Sequence, residues 1–243
     1  MNIYAVIIGT EILNGRREDK HFNFMKHLLQ QWGHTLYASF SIKDDPELIR
    51  NIFTLVRSDT TSVMFSFGGI GSTPDDLTRQ IAAHVFTQQP LAEHPKFAHD
   101  IKERFGDDAY PHRIQMAYLP QGAHLLYNPI NNMSGFALQR RFFFVPGFPE
   151  MAHPMVEEAV KNYLPRAKTT YRKTLIADTS ENTLITTMQM LPESIELSSL
   201  PILRQGLPRV ELSLSSRDAN TLNQVFEEFQ RVLQAKKIAY EIL

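Results

Sequence analysis

The feature that most constrains this chain is a set of short runs apolar at almost every position, separated by stretches of helical period. "IYAVIIG" (residues 3–9), "SVMFSF" (62–67) and the "FFFV" of "RRFFFVPG" (140–147) show no alternation of apolar and polar residues. A strand with one wet face would alternate, so these runs fit strands buried on both faces of a parallel sheet. Between them, "DKHFNFMKHLLQQWG" sets Phe22, Met25, Leu28, Leu29 and Trp32 at helical spacing, with Gly33 placed to end the helix. "HTLYASFSI" reads as a strand, "DPELIRNIFTLVRS" as a helix with Leu48, Ile49, Ile52, Phe53 and Val56 inward, and "DLTRQIAAHVF" as another helix. Strands alternating with helices of this length predict right-handed βαβ units and a three-layer, doubly wound, mostly parallel α/β fold. Such sheets bind ligands beyond the carboxyl ends of their strands, where "GTEILNG" (9–15) and "GGIGSTPDD" (68–76) both fall.

Residues 90–113 read as one or two short polar helices, an excursion from the sheet rather than a core layer. Near Pro165 the pattern changes. The tail gives strand "YRKTLIA", helix "SENTLITTMQML", strands "SIELSSLPIL" and "RVELSLSS", helix "DANTLNQVFEEFQRVLQAKK" and strand "AYEIL". That βαββαβ order predicts a small α+β, ferredoxin-like domain. The expected division is therefore 1–165 and 166–243, and 243 residues suffice for a medium domain with a small one.

Composition narrows the chemistry. The absence of cysteine excludes disulfides, a thiolate nucleophile and cysteine-ligated metal centres, so any metal must be held by oxygen or histidine. With 25 basic and 26 acidic residues, the charge gives no overall pull toward nucleic acid or membrane, and neither is expected as a partner. The apolar N-terminal run is too short for a signal peptide and no segment is long enough to span a bilayer, which leads to a cytoplasmic expectation. The nine histidines show no zinc-site spacing and read as surface or core residues, and no G-x-S-x-G motif occurs.

The richest motif is "GGIGSTPDDLT". Gly68, Gly69 and Gly71 allow positive φ and close backbone approach between a buried strand and a helix, a plausible cradle for an anion. It matches neither a Walker A loop, lacking the Lys, nor a G-x-G-x-x-G fingerprint. Thr73 as N-cap, Pro74 at the first helical position and Asp76 as capping-box partner would account for the next residues without any function. The functional reading needs something positive between a phosphate and the adjacent carboxylates of Asp75 and Asp76. A divalent metal bridging to phosphate, or direct contact of the aspartates with ribose or pterin groups, would meet that need. Glu11 reads equally as an exposed loop residue, and Glu150 as an acid favoured by a helix dipole. The amide-rich "NPINNMSGF" suits a long irregular loop or recognition of a heterocycle.

Taken together, "GTEILNG", "GGIGSTPDDLT", "NPINNMSGF" and "PGFPEM" resemble, in this order, four motifs of the molybdopterin-binding (MoCF biosynthesis) domain family. The likeness, over residues 3 to 165, is nearest to the N-terminal region of the competence/damage-inducible CinA-type proteins. The resemblance implies that Gly68, Gly69, Gly71, Asp76 and Thr78, flanked by Ser72 and Thr73, surround the ligand's phosphate and its pterin or nucleotide. It further places Thr10, Glu11, Gly15 and Asp19 on the first loop, Asn128, Pro129, Gly135 and Phe136 on the third, and Glu150 on the last. The sequence departs from the family's pattern at Asp19, Lys20 and His21, where D-T-N is usual, and at Ser72, Gln80, Asn131 and Ser134. The chain ends at Leu243, before the amidohydrolase domain that commonly completes CinA-type proteins, so deamidation of nicotinamide mononucleotide is not expected of it.

The activity the resemblance implies is divalent-metal-dependent hydrolysis of a nucleotide diphosphate such as ADP-ribose or FAD. Asp76, with Asp75 and Asp19, would be catalytic; Asp75 and Asp76 would hold Mg, Mn or Co. Two other readings stay open: a pterin or nucleotide sensor without turnover, and molybdenum cofactor assembly on molybdopterin. The expected partner is a small nucleotide or pterin ligand, with a homo-oligomer implied by the family.

Overall fold

The structure is a computed structural model and describes residues 1–167, 170–204 and 207–243. It divides into two compact units, Met1–Arg166 and Ala167–Leu243.

The first unit begins with β1 (Asn2–Ile8), a four-residue helix α1 (Thr10–Leu13) and α2 (His21–Gln31). Then come β2 (Leu36–Ile42), α3 (Pro46–Ser58), β3 (Ser62–Phe67) and α4 (Thr78–Ala82), which runs into a π-type turn at Ala83–Thr87. After β4 (Leu91–Glu93), α5 (Pro95–Phe105) and β5 (Tyr118–Pro120), the chain re-enters the sheet as β6 (His124–Leu126), β7 (Gly135–Leu138) and β8 (Phe142–Val145). It closes with α6 (Pro149–Tyr163). The six-stranded sheet has the order β2-β1-β3-β8-β7-β6. β1 pairs in parallel with β2 and β3, and β3 with β8, whereas β7 and β6 are antiparallel additions.

The continuous apolar runs now have their reason. Ile3, Ala5 and Ile7 pack with Met25, Leu28 and Leu29 of α2 and with Val156 and Val160 of α6 on one face. Tyr4, Val6 and Ile8 pack with Ile49, Phe53 and Val56 of α3 and with Ile81 and Phe97 on the other. Both faces are covered, so both sets are apolar except for the Tyr4 hydroxyl, which is paired with Asp59. This is the expected three-layer α/β arrangement.

Four local expectations are corrected. Residues 10–13 form a helical turn rather than an open loop. The helix after the glycine motif starts at Thr78, not Pro74. The segment near residue 100 is a core layer, since Phe97, Ala98 and Ile101 of α5 are buried in the main apolar cluster. Phe22 and Leu48 are exposed at 41% and 37%, and His21 is the residue buried at the start of α2.

The second unit contains β9 (Tyr171–Ala177), α7 (Ile185–Gln189), β10 (Glu196–Arg204), β11 (Leu207–Ser216), α8 (Ala219–Ala235) and β12 (Tyr240–Ile242). Its antiparallel sheet has the order β10-β11-β9-β12, the split βαβ arrangement. Leu175, Leu212 and Leu214 meet Leu222, Phe226, Phe229 and Leu233 of α8 in a separate core.

Among the described residues, no helix is long and apolar enough to cross a membrane.

Candidate functional site

Sheet order brings the four motifs to one rim. The segments after β1, β3 and β8 leave the carboxyl ends of parallel strands. β7 runs antiparallel to β8 with Phe136 opposite Phe144, so the 127–134 loop opens at the same edge.

In the glycine loop, Gly68 and Gly69 adopt φ of +96° and +68°. A Cβ on Gly68 would collide with the Ile8 carbonyl oxygen of β1, and one on Gly69 with the Thr78 hydroxyl. Only glycine fits the chain here. Thr78 is fully buried and locks the turn: its Oγ1 donates to the Gly68 carbonyl at 3.0 Å and its N–H to the Gly69 carbonyl at 2.9 Å. Thr78, expected to touch ligand, spends both its hydroxyl proton and its N–H on these two carbonyls.

Asp76 makes only the carboxylate half of a capping box, and caps no helix: its own N–H goes to the Thr73 carbonyl at 3.0 Å and not to the Thr73 hydroxyl. Its Oδ2 accepts from Thr73 N–H at 2.8 Å and Thr73 Oγ1 at 2.6 Å, closing the 73–76 turn two residues before α4. A Cβ on Gly71 would lie 2.6 Å from the same Oδ2, so Gly71 is small to admit this carboxylate. Asp75 and Thr73 are exposed, and Ser72 is half-buried beside them.

A charged residue that sequence reasoning missed lies under this loop. Arg79 is 7% exposed, donates to the Gln115 and Tyr118 carbonyls, and reaches the Gly71 carbonyl at 2.7 Å. Its Nε has no partner, and among the described residues it forms no ion pair. Burial lowers its pKa from the usual guanidinium value, partly opposed by the nearby Asp76 charge. A cation fixed behind the glycine turn makes the turn electropositive. Its place directly after "DDLT" was the available signal.

The first loop is tied down by its own polar groups. Thr10 donates through both N–H and Oγ1 to Asp44 Oδ2 at 2.8 Å, facing the loop after β2. Glu11 folds back over buried Gly9, where an added Cβ would lie 3.1 Å from Oε2. Gly15 is exposed with φ +76°. Asp19, expected to be catalytic, accepts the His21 N–H at 2.7 Å and so opens α2.

The third loop is likewise self-organised. Asn128 is fully buried: its Oδ1 accepts from Ile130 N–H at 3.0 Å, and its Nδ2 donates to Asn131 Oδ1 at 2.7 Å and to the Met133 carbonyl at 3.1 Å. These bonds shape the loop. Gly135 is required because any Cβ would meet the Phe144 carbonyl of β8. Asn132 and Ser134 help line a 390 Å³ cavity with His94, His124 and Tyr127. A 630 Å³ cavity along Gln80, His84 and Gln88 takes in none of the sequence-predicted site residues. Glu150 is exposed in the first turn of α6.

The rim also holds a histidine pair that spacing along the chain did not reveal. His21, 2% exposed, stacks on Phe67 with ring centroids 4.3 Å apart, and its Nε2 lies 3.2 Å from the Gly147 carbonyl oxygen. A carbonyl only accepts, so Nε2 carries the proton and Nδ1 has a lone pair. That Nδ1 is 3.3 Å from Nε2 of His153, whose ring stacks on Phe24 at 3.7 Å. Burial lowers the pKa of His21; burial and then the neighbouring His21 lower that of His153 to about 4. Asp19 and Glu150 oppose both shifts. The two histidines lie 132 positions apart, so only the fold pairs them. Among the described residues no three His, Asp or Glu side chains converge on one point.

Residues 4–166 match the family model described as a probable molybdopterin binding domain. The chain belongs to that family. Within it, one relative, a CinA-like protein of Nostoc punctiforme, is 33% identical over 171 residues, covering 68% of this chain and 41% of the relative. A CinA-like protein of Acaryochloris marina is 27% identical over 242 residues, covering 95% of this chain and 57% of the relative. The chain thus spans about half the length of these relatives. Among solved structures, the protein CinA of unknown function from Thermoplasma acidophilum superposes with a TM-score of 0.61 at 26% identity. That match covers 67% of this chain and 98% of that one.

Proposed function

We propose that this rim binds a nucleotide diphosphate such as ADP-ribose or FAD and hydrolyses it with the help of a divalent metal. The observation that carries the reading is the positive-φ glycine turn backed by the buried Arg79, which among the described residues makes no direct ion pair. Backbone approach without Cβ atoms, together with a fixed cation behind the turn, favours a phosphate at this place. In the reaction, a water oxygen forms a bond to one phosphorus and the bridging P–O bond breaks. The water's protons pass to solvent or to the leaving phosphate oxygen, and two monophosphates leave: AMP with ribose 5-phosphate, or AMP with FMN. The metal would neutralise charge developing on the phosphate oxygens. Asp76 keeps Oδ1 without a hydrogen bond among the described residues, and this oxygen can orient water or a metal-bound ligand.

A second reading is a pterin or nucleotide binder without turnover. It is favoured by the internal engagement of Asp76 and Asp19, and the family's molybdopterin ligand suits it. The test is incubation with ADP-ribose and FAD, with and without Mg²⁺, Mn²⁺ or Co²⁺, beside Asp76→Asn. Metal-dependent AMP release, reduced at least tenfold in the variant, is expected. No AMP with any metal, while a nucleotide or pterin still raises the melting temperature, would establish the binding reading instead.

A further inference from the structure

We propose that His21 and His153 form a two-imidazole docking position for a borderline transition-metal ion such as Co²⁺ or Zn²⁺, beside the glycine loop. This deepens the metal-dependent reading above and rests on it only for the metal's use, not for its binding.

The geometry starts from the distance between donor atoms. Two nitrogens bound to one ion at 2.0–2.1 Å and at the tetrahedral angle stand about 3.3–3.4 Å apart. His21 Nδ1 and His153 Nε2 are 3.3 Å apart. That spacing also suits a long hydrogen bond between neutral rings. For a metal to take the place between them, His153 would shift its one proton from Nε2 to Nδ1, leaving a lone pair on each of the two facing nitrogens.

Other features prepare the pair for a cation. The Nε2–H of His21 is held by the Gly147 carbonyl at 3.2 Å, the second-sphere arrangement that fixes a ligating histidine's tautomer and raises its basicity. Stacking on Phe67 and Phe24 clamps both rings, so little side-chain freedom is lost on binding. The titratable groups facing the pair are the carboxylates of Asp19 and Glu150, which favour positive charge there. His153, half-buried on α6, leaves a way in from solvent that fully enclosed His21 does not.

The pair is coupled to the glycine loop. His21 stacks on Phe67, the residue before Gly68, and a Cβ on Gly147 would lie 3.5 Å from the Gly68 Cα. Because no third protein ligand converges among the described residues, water or a ligand's phosphate oxygen would fill the remaining positions. Nitrogen donors select Co²⁺ or Zn²⁺ over Mg²⁺.

The test titrates Co²⁺ into the full chain, reading visible d–d absorption, and Zn²⁺ by calorimetry, for wild type, His153→Gln, His21→Asn and Asp76→Asn. Circular dichroism and melting temperature establish that each variant is folded. The expected result is Co²⁺ bands in the wild type and at least a tenfold loss of affinity in folded His153→Gln. His153 lies at the less buried end of the pair, so this arm stands even if His21→Asn misfolds. Absence of metal binding by the wild type, binding unchanged in His153→Gln, or loss confined to Asp76→Asn each overturns the proposal. AMP release is measured separately: metal bound at the pair without hydrolysis would sink the hydrolase reading alone, and metal-dependent hydrolysis with no metal bound at the pair would sink this one alone.

Discussion

Single residues at the rim act more often by shaping backbone than by offering functional groups. Gly69 shows the consequence: alanine there must hold φ near +68° and meet the Thr78 hydroxyl. Gly69→Ala should lower stability by about 1–3 kcal/mol in urea unfolding and weaken the ligand-induced rise in melting temperature. At the opposite end of the sheet, Asp59 accepts from Asn2 Nδ2, Tyr4 Oη, and Thr61 N–H and Oγ1 at 2.8–2.9 Å. These bonds, led by that from Asn2, hold its carboxyl well below the usual range. Burial, then the Asp59 bond, pushes Tyr4 up to about 12. A depressed carboxyl contributes stability above its unfolded value of 3.8 that is lost as pH falls through the folded one. A raised phenol contributes stability below 10 that is lost as pH rises from 10 toward about 12. Urea midpoints against pH should therefore fall on both sides, with Asp59→Asn flattening the acid limb and Tyr4→Phe the alkaline one.

Between elements, Arg79 is the tie that joins the glycine loop to the 113–118 segment. Replacing it with Met removes the charge but leaves the carbonyls of Gly71, Gln115 and Tyr118 without their donor. We expect a loss of about 3 kcal/mol, with Arg79→Lys recovering part of it, measured by denaturant unfolding. Helix and strand positions were largely legible in the sequence because apolar spacing reports directly on burial: Met25, Leu28, Leu29, Ile49, Phe53 and Val56 are all inside. Boundaries were less so. Thr73, Pro74 and Asp76 carry the composition of a helix start, yet the helix begins at Thr78. Thr78 is held by the Gly68 and Gly69 carbonyls, which local propensity does not encode. α5 read as a polar excursion because three core positions, Phe97, Ala98 and Ile101, serve among eight largely polar neighbours.

Across the whole molecule, each compact unit has its own apolar core, so damage to one core should be read out in that unit. Phe229→Ala, in the core of the second unit, should cost about 3–5 kcal/mol. Hydrogen exchange should show lost protection in 171–242, while nucleotide still protects the 68–78 loop. The apolar strand runs, alternating with segments of helical period, determined from sequence alone an α/β sheet with four motifs on its carboxyl edge. A strand's burial on two faces leaves a one-dimensional trace. Motif order likewise sufficed for the family, because each loop follows its own strand. Which side chains face one another across that rim was decided only by tertiary structure. Asp19 and Asp76 turned inward to backbone N–H groups, Arg79 slid beneath the glycines, and His21 met His153. Pairing across 132 residues depends on strand order and helix rotation, which no local spacing records.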